Sequence, residues 1–98
     1  MPPIQSWKLL AKTFRSTDLL VHWGKLPVDF QPEDAIFLYR EGPLSINERT
    51  VLGFLLHVWN HYDFPFELSE TAGWDPSHQQ AFAGWVSGKT LGRPLRYF

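Results

Sequence analysis

His57 and His61 lie four residues apart in a stretch whose pattern indicates a helix, so both project from one face of it. This spacing suits two ligands of a metal ion, with Asp63 and His78 as candidate third partners. The residue after His57 is Val58, so the H-E-x-x-H pattern, which includes a general base, is absent. Histidines on a helix surface are more common than ligands, and we therefore predict no metal site and no cofactor.

The remaining chemistry-bearing residue types also argue against an enzyme. The chain has no cysteine, which excludes a thiol nucleophile, a disulfide and a Cys-ligated zinc ion. It contains neither a Gly-rich phosphate loop nor a G-x-S-x-G sequence. Most carboxylates are isolated and occur where helix caps and turns need them. We therefore predict a binding protein without catalytic activity.

A second pattern, in the C-terminal half, is typical of nucleic-acid binding. Residues 67–72 suggest a short helix that ends at Gly73, and a longer helix is predicted over 76–87. Asp75 is a suitable N-cap for it and Pro76 a suitable first helical residue. The order of these elements resembles a helix-turn-helix unit. The residues that match it are Leu68, Ser69, Ala72, Gly73, Trp74 and Phe82.

The resemblance implies that helix 76–87 is the DNA-reading helix. Gln79 and Gln80 would then contact adenine edges, and Ser77 would contact a phosphate. A basic tail would add backbone contacts through Lys89, Arg93 and Arg96. Against this role, the predicted reading helix carries no Arg or Lys and the chain has a net charge of −1.

We favour a protein–protein interaction module, with DNA binding as the alternative. Aromatic residues make up 16% of the chain and include five tryptophans, which commonly anchor interfaces. The polar face of helix 76–87 is small and uncharged, so another backbone can approach it closely. The predicted partner-binding residues are Trp74, Ser77, Gln80, Gly84, Trp85, Lys89, Arg93 and Arg96, with Tyr97 and Phe98 as further apolar anchors.

The element that must position these residues is a long helix predicted over 45–62. Ser45 and Glu48 form a capping-box pair at its start. Its apolar residues cover more than half of the helix circumference, which predicts a central helix with several neighbours. They are Val51, Leu52, Phe54, Leu55, Leu56, Val58, Trp59 and Tyr62.

The N-terminal half gives a less uniform prediction. A short helix is expected over 7–15, with Trp7, Leu10, Ala11 and Phe14 on its buried face. Residues 19–23 form an apolar run closed by glycine, which favours a buried strand. Residues 33–41 follow a helix-start signal but contain a continuous apolar run. We favour a strand there, paired with 19–23.

Together these elements predict a single domain over 1–98, mainly α with a minor β component. It is built around helix 45–62 and has a helix-turn-helix-like C-terminal half. No apolar run reaches about 18 residues, so no membrane partner is expected, and the N-terminus lacks a signal-peptide pattern. A cytoplasmic location follows by default. Charge is uneven, because residues 26–75 hold nine acidic residues and two arginines between two basic ends.

Overall fold

The central helix, α4, spans Ile46–Trp59 in a computed structural model that describes residues 2–90. The predicted capping box is present. The Glu48 backbone N–H donates to Ser45 Oγ at 3.1 Å, and the Ser45 N–H donates to Glu48 Oε1 at 2.8 Å. Every residue from 51 to 56 is buried, so α4 is enclosed on all sides over this stretch, as its wide apolar arc predicts.

Helix α4 ends three residues earlier than predicted because a local turn competes with the next helical turn. Asn60 has an extended backbone with φ −151°. Its side-chain Nδ2 donates to Asp63 Oδ2 at 2.9 Å, and the Phe64 N–H donates to the Asn60 carbonyl at 3.1 Å. Tyr62 therefore lies outside the helix and is 87% exposed instead of joining the apolar arc.

Helix α1 spans Ile4–Lys12, so it begins and ends three residues before the predicted range 7–15. Its predicted buried residues, Trp7, Leu10, Ala11 and Phe14, are all fully buried. Trp7 Nε1 donates to the Leu55 carbonyl at 2.8 Å, which ties α1 to α4. The Thr13 hydroxyl donates to the Leu10 carbonyl at 2.7 Å where the helix stops.

Helix α2 spans Arg15–His22, and the predicted strand at 19–23 is wrong. Gly24, with φ +77°, ends the helix as a C-terminal cap, and the Lys25 N–H donates back to the Leu20 carbonyl at 2.8 Å. Leu20 is buried, whereas Trp23 is 70% exposed. The apolar run therefore has one buried and one exposed side, which a helix provides.

Helix α3 spans Pro32–Glu41, so the favoured strand at 33–41 is also wrong. The Gln31 N–H donates to Asp34 Oδ2 at 2.8 Å, and proline occupies the first helical position. Ala35 and Leu38 are buried, and Phe37 is 69% exposed. The helix-start signal was better evidence than the continuous apolar run, because the residues of this run divide between a buried and an exposed face of the helix.

The C-terminal elements follow the prediction closely. A 3-10 helix spans Leu68–Gly73, and α5 spans Pro76–Val86. Asp75 Oδ1 accepts the His78 N–H at 3.0 Å as the predicted N-cap. After α5, Gly88 has φ +80° and the chain turns back on itself.

Residues 2–90 contain no strand, so the mainly α prediction is confirmed and its minor β component is not seen. Helices α1, α2 and α3 all pack on α4, and their buried side chains form one core with it. None of the helices in this part of the chain is long and apolar enough to cross a membrane.

Candidate functional site

The two tryptophans predicted as partner anchors lie in the core. Trp74 is 4% exposed and Trp85 is 6% exposed. The indole Nε1 of Trp74 donates to Thr50 Oγ1 at 2.7 Å, which fixes the ring against α4. Neither ring projects from the surface as an exposed anchor, so replacing these tryptophans would report mainly on stability.

Part of the aromatic excess is explained by one cluster centred on Phe54 of α4. Its ring meets Phe82 and Trp85 of α5 edge-to-face, with ring centroids 5.2 Å apart in both pairs. Phe66, Phe14 and Trp74 also lie around Phe54, with ring centroids at 5.4, 5.7 and 6.0 Å. Such pairs contribute about 0.5–1.5 kcal/mol each beyond their buried area. The cluster therefore attaches α5 to the rest of the fold.

The exposed face of α5 has the character that its sequence predicts. Ser77 and Gln80 are exposed, and Gly84 is half-buried. Lys89, which follows the end of α5, is also exposed. A Cβ atom at Gly84 would lie 3.1 Å from Thr90 Oγ1, and the Gly84 carbonyl accepts the Lys89 N–H at 2.9 Å. Substitution at Gly84 would therefore disturb the end of α5 as well as its surface. Arg93 and Arg96, with Tyr97 and Phe98, lie outside the described residues.

An apolar cavity of about 290 Å³ opens beside this cluster, between α4, α5 and the segment that leads into the start of the 3-10 helix. We call it the α4–α5 groove. Its lining residues are Phe54, His57, Phe66, Leu68, Phe82, Trp85 and Val86. Leu68 is 69% exposed and Val86 is 50% exposed, so two aliphatic side chains of the lining remain in contact with water. Three separate elements wall this groove, which makes it a preformed concave surface.

His57 is the polar residue of the groove. Its Nδ1 lies 2.7 Å from the Phe64 carbonyl oxygen, which can only accept a hydrogen bond. The contact therefore places a proton on Nδ1. The His57 and His61 rings are 6.2 Å apart, and no group of three metal-ligating side chains is found among residues 2–90.

All lining residues of the groove lie between residues 50 and 88, and acidic residues alone carry the formal charge of this stretch. The sequence from residue 50 to residue 88 contains no Lys or Arg, and its acids are Asp63, Glu67, Glu70 and Asp75. All but Asp75, which is half-buried, are exposed. Hydrogen bonds from the Ser77 hydroxyl and the His78 backbone N–H lower the pKa of Asp75. This carboxylate is thus held in its charged form.

A larger cavity of about 410 Å³ lies along one side of α3, lined by Glu33, Ile36, Phe37, Arg40 and Glu41. Its lining residues all belong to this one helix, and it is more open than the α4–α5 groove. Charged side chains of both signs surround its apolar part. It offers less enclosure for an apolar ligand, so the α4–α5 groove is the better candidate site.

A group of three side chains has the order of a hydrolase catalytic triad: Ser16, His78 and Asp75. Ser16 Oγ lies 2.9 Å from His78 Nε2, and His78 Nδ1 lies 3.1 Å from Asp75 Oδ1, although not in hydrogen-bonding geometry. The Ser16 backbone N–H also donates to His78 Nε2, at 3.1 Å. Ser16 and His78 are buried, and Ser16 lines neither cavity described above.

This arrangement is a helix cap. Ser16 stands in the first turn of α2, whose N-cap residue is Phe14, a side chain that cannot accept a hydrogen bond. His78 supplies the missing acceptor from a position 62 residues away. The N–H that a hydrolase would direct at an oxyanion is already bonded here. No local signal in the sequence links these two positions.

Sequence reasoning identified one lining residue of the groove, Trp85, as a binding residue, but for an exposed role. It did not identify Leu68 and Phe66 as groove residues, because their position depends on how the segment after α4 returns to α5.

Comparison of the chain with protein-family models, curated proteins and solved structures finds no match.

Proposed function

We propose that this protein is a non-enzymatic interaction module that receives apolar side chains of a partner protein in the α4–α5 groove. The observation that carries the proposal is the exposure of Leu68 and Val86 within a concave apolar lining. Covering them removes apolar surface from water, which contributes about 25 cal/mol per Å². The groove is walled by packed aromatic rings, so little ordering is required when a partner binds.

The uncharged face of α5 adjoins this groove and supports the same function. Ser77, Gln80 and Ala83 are exposed, and none of them carries a charge that a partner would have to desolvate. A partner seated in the groove can extend over this face, which retains the predicted role of Ser77, Gln80 and Gly84 at the edge of the interface.

DNA binding through α5 and the basic tail has weaker support. The candidate reading helix lies within the stretch 50–88, which has four acids and no Lys or Arg. The element that would precede it in a helix-turn-helix unit is a 3-10 helix without a buried residue. Such an element gives the reading helix little support from the core.

The proposal is tested by affinity capture from nuclease-treated lysate with three baits. These are the wild type, Val86→Arg and the control Val28→Arg, whose residue is 82% exposed and does not line the groove. We expect wild type and Val28→Arg to retain the same proteins and Val86→Arg to lose them. Equal circular dichroism spectra and melting temperatures would show that all three baits fold. Equal capture by all three would contradict a role for the groove.

A further inference from the structure

We propose that the partner segment is a basic amphipathic peptide. Its apolar side chains occupy the α4–α5 groove, and its Lys or Arg side chains face the acidic residues beside it. This inference rests on the proposed function and specifies the chemistry of the partner. The inference depends on the charged residues near the groove, whereas the proposed function depends on its apolar lining.

The acidic residues nearest to lining residues in the sequence are Glu67 and Glu70. Glu67 precedes the lining residue Leu68 directly, and Glu70 lies in the same 3-10 helix. Glu67 is the N-cap residue of this helix, and the Glu70 N–H donates to the Glu67 carbonyl at 3.0 Å, so a single turn brings the two residues near each other. Both side chains are exposed. The two carboxylates therefore form an acidic edge beside an apolar site.

No basic residue in this stretch neutralises the acidic edge. The preceding cation in the sequence is Arg49, whose Nη1 donates to the Tyr39 carbonyl at 2.8 Å. The following cation is Lys89, beyond the end of α5. Neither Glu67 nor Glu70 forms an ion pair within residues 2–90. A partner that brings Lys or Arg would therefore be attracted to these carboxylates, whereas one that brings Asp or Glu would be repelled.

The shape of the groove favours a peptide. Its volume of about 290 Å³ is at the lower limit of small-molecule pockets, and its walls are apolar apart from His57. Such a groove accepts a few bulky side chains from one face of a helix, as in known helix-in-groove complexes. Lys or Arg side chains next to that apolar face of the peptide helix can then reach the acidic edge.

Three synthetic peptides with the same Leu and Phe positions test the charge argument. Their polar positions carry Arg, Gln or Glu, and binding is followed by fluorescence anisotropy at low and high salt. Exposed ion pairs contribute about 1.4- to 5-fold each in affinity. Two pairs predict that the Arg peptide binds roughly 2- to 25-fold more tightly than the Gln peptide at low salt, with a smaller ratio at high salt. The Glu peptide should bind most weakly.

Matched variants locate the effect on the protein. Glu67→Gln with Glu70→Gln should bring the affinity for the Arg peptide close to that for the Gln peptide. The control, Glu33→Gln with Glu41→Gln on α3, should leave the ratio unchanged. Val86→Asn should weaken all three peptides, whereas the exposed control Val28→Asn should not.

The outcomes separate this inference from the proposed function. Equal binding of the Arg and Gln peptides would overturn the charge inference, and sensitivity to Val86→Asn would still support the groove. Failure of all three peptides would overturn the peptide inference, while Val86-dependent capture of a protein would keep the proposed function. Self-association of the wild type that Val86→Asn abolishes would identify a second copy as the occupant and overturn the basic-peptide inference.

Discussion

Replacement of His78 by leucine should destabilise the fold although it makes the core more apolar. Leucine fills much of the same space but leaves the buried Ser16 N–H without its acceptor at 3.1 Å. An unsatisfied buried group costs about 1–3 kcal/mol, and loss of the Ser16 hydroxyl contact adds about 0.5–1.5 kcal/mol. Greater apolar burial offsets roughly 1 kcal/mol of this. We expect a net loss near 2 kcal/mol, or roughly 10 °C in melting temperature.

Two further variants make this prediction specific to the hydrogen bond. His78→Gln keeps an acceptor at about the distance of Nε2 and should lose less stability than His78→Leu. Gln79→Leu changes an exposed neighbour on α5 and should stay within about 0.5 kcal/mol of wild type. Urea unfolding gives the free energies, and amide hydrogen exchange at Ser16 should accelerate in His78→Leu alone. If His78→Leu is as stable as wild type, His78 does not act as the cap of α2.

Three other properties can be measured independently. The hydrogen bond from buried Lys8, at 2.8 Å, lowers the pKa of Asp29. This pair therefore stabilises the fold fully at pH values above the ordinary carboxyl pKa of 3.8, and its contribution decreases as the pH falls below that value. The urea midpoint of Asp29→Asn should therefore lie below that of wild type at neutral pH and approach it in acid; a constant difference would contradict this linkage. Gly53→Ala should stabilise α4 by about 0.5–1 kcal/mol, because the new Cβ would lie 3.5 Å from the Tyr39 ring in ordinary contact. Gly42→Ala should lower the melting temperature, because its Cβ would collide with the last turn of α3. A melting temperature of Gly42→Ala above that of Gly53→Ala would show that the backbone adjusts freely. Labelled mixed-sequence DNA should show no salt-sensitive anisotropy change with this protein, whereas strong binding at low salt would restore the helix-turn-helix interpretation.

Local signals predicted the elements that depend on neighbouring residues. The Ser45 capping box and the Asp75 N-cap both form as expected, because a cap joins residues three positions apart. The buried face of α1 was predicted because Trp7, Leu10, Ala11 and Phe14 follow a helical period. In these cases the sequence pattern and the tertiary contacts favour the same structure.

The two wrong strand predictions have one cause. A short apolar run was interpreted as buried on both sides, whereas Trp23 and Phe37 are each about 70% exposed. Their exposure leaves a single buried side, as in an amphipathic helix. Gly24 was recognised as a terminator, but its role as a helix cap depends on a positive φ that the sequence alone does not reveal.

The candidate groove was less predictable than the fold because its walls come from distant parts of the chain. Leu68 and Val86 line one cavity although they are far apart in sequence, and no periodic pattern relates them. The aromatic excess was noticed, but composition cannot tell packed rings from exposed ones. Trp74 and Trp85 proved to be packed, and the exposed residues of the groove are aliphatic.

The cap that His78 provides for α2 affects when a newly made chain can become stable. A ribosome releases the N-terminus first, so α2 emerges long before the residue 62 positions later that accepts its Ser16 N–H. Until then the Ser16 N–H can bond only to water, although the Thr17 hydroxyl already has the Phe14 carbonyl as a local acceptor. Phe54 likewise emerges before Phe82 and Trp85 of α5 can cover it. Ribosome-bound chains that have not yet released residue 78 should therefore be digested by protease, and resistance should appear abruptly once α5 is free.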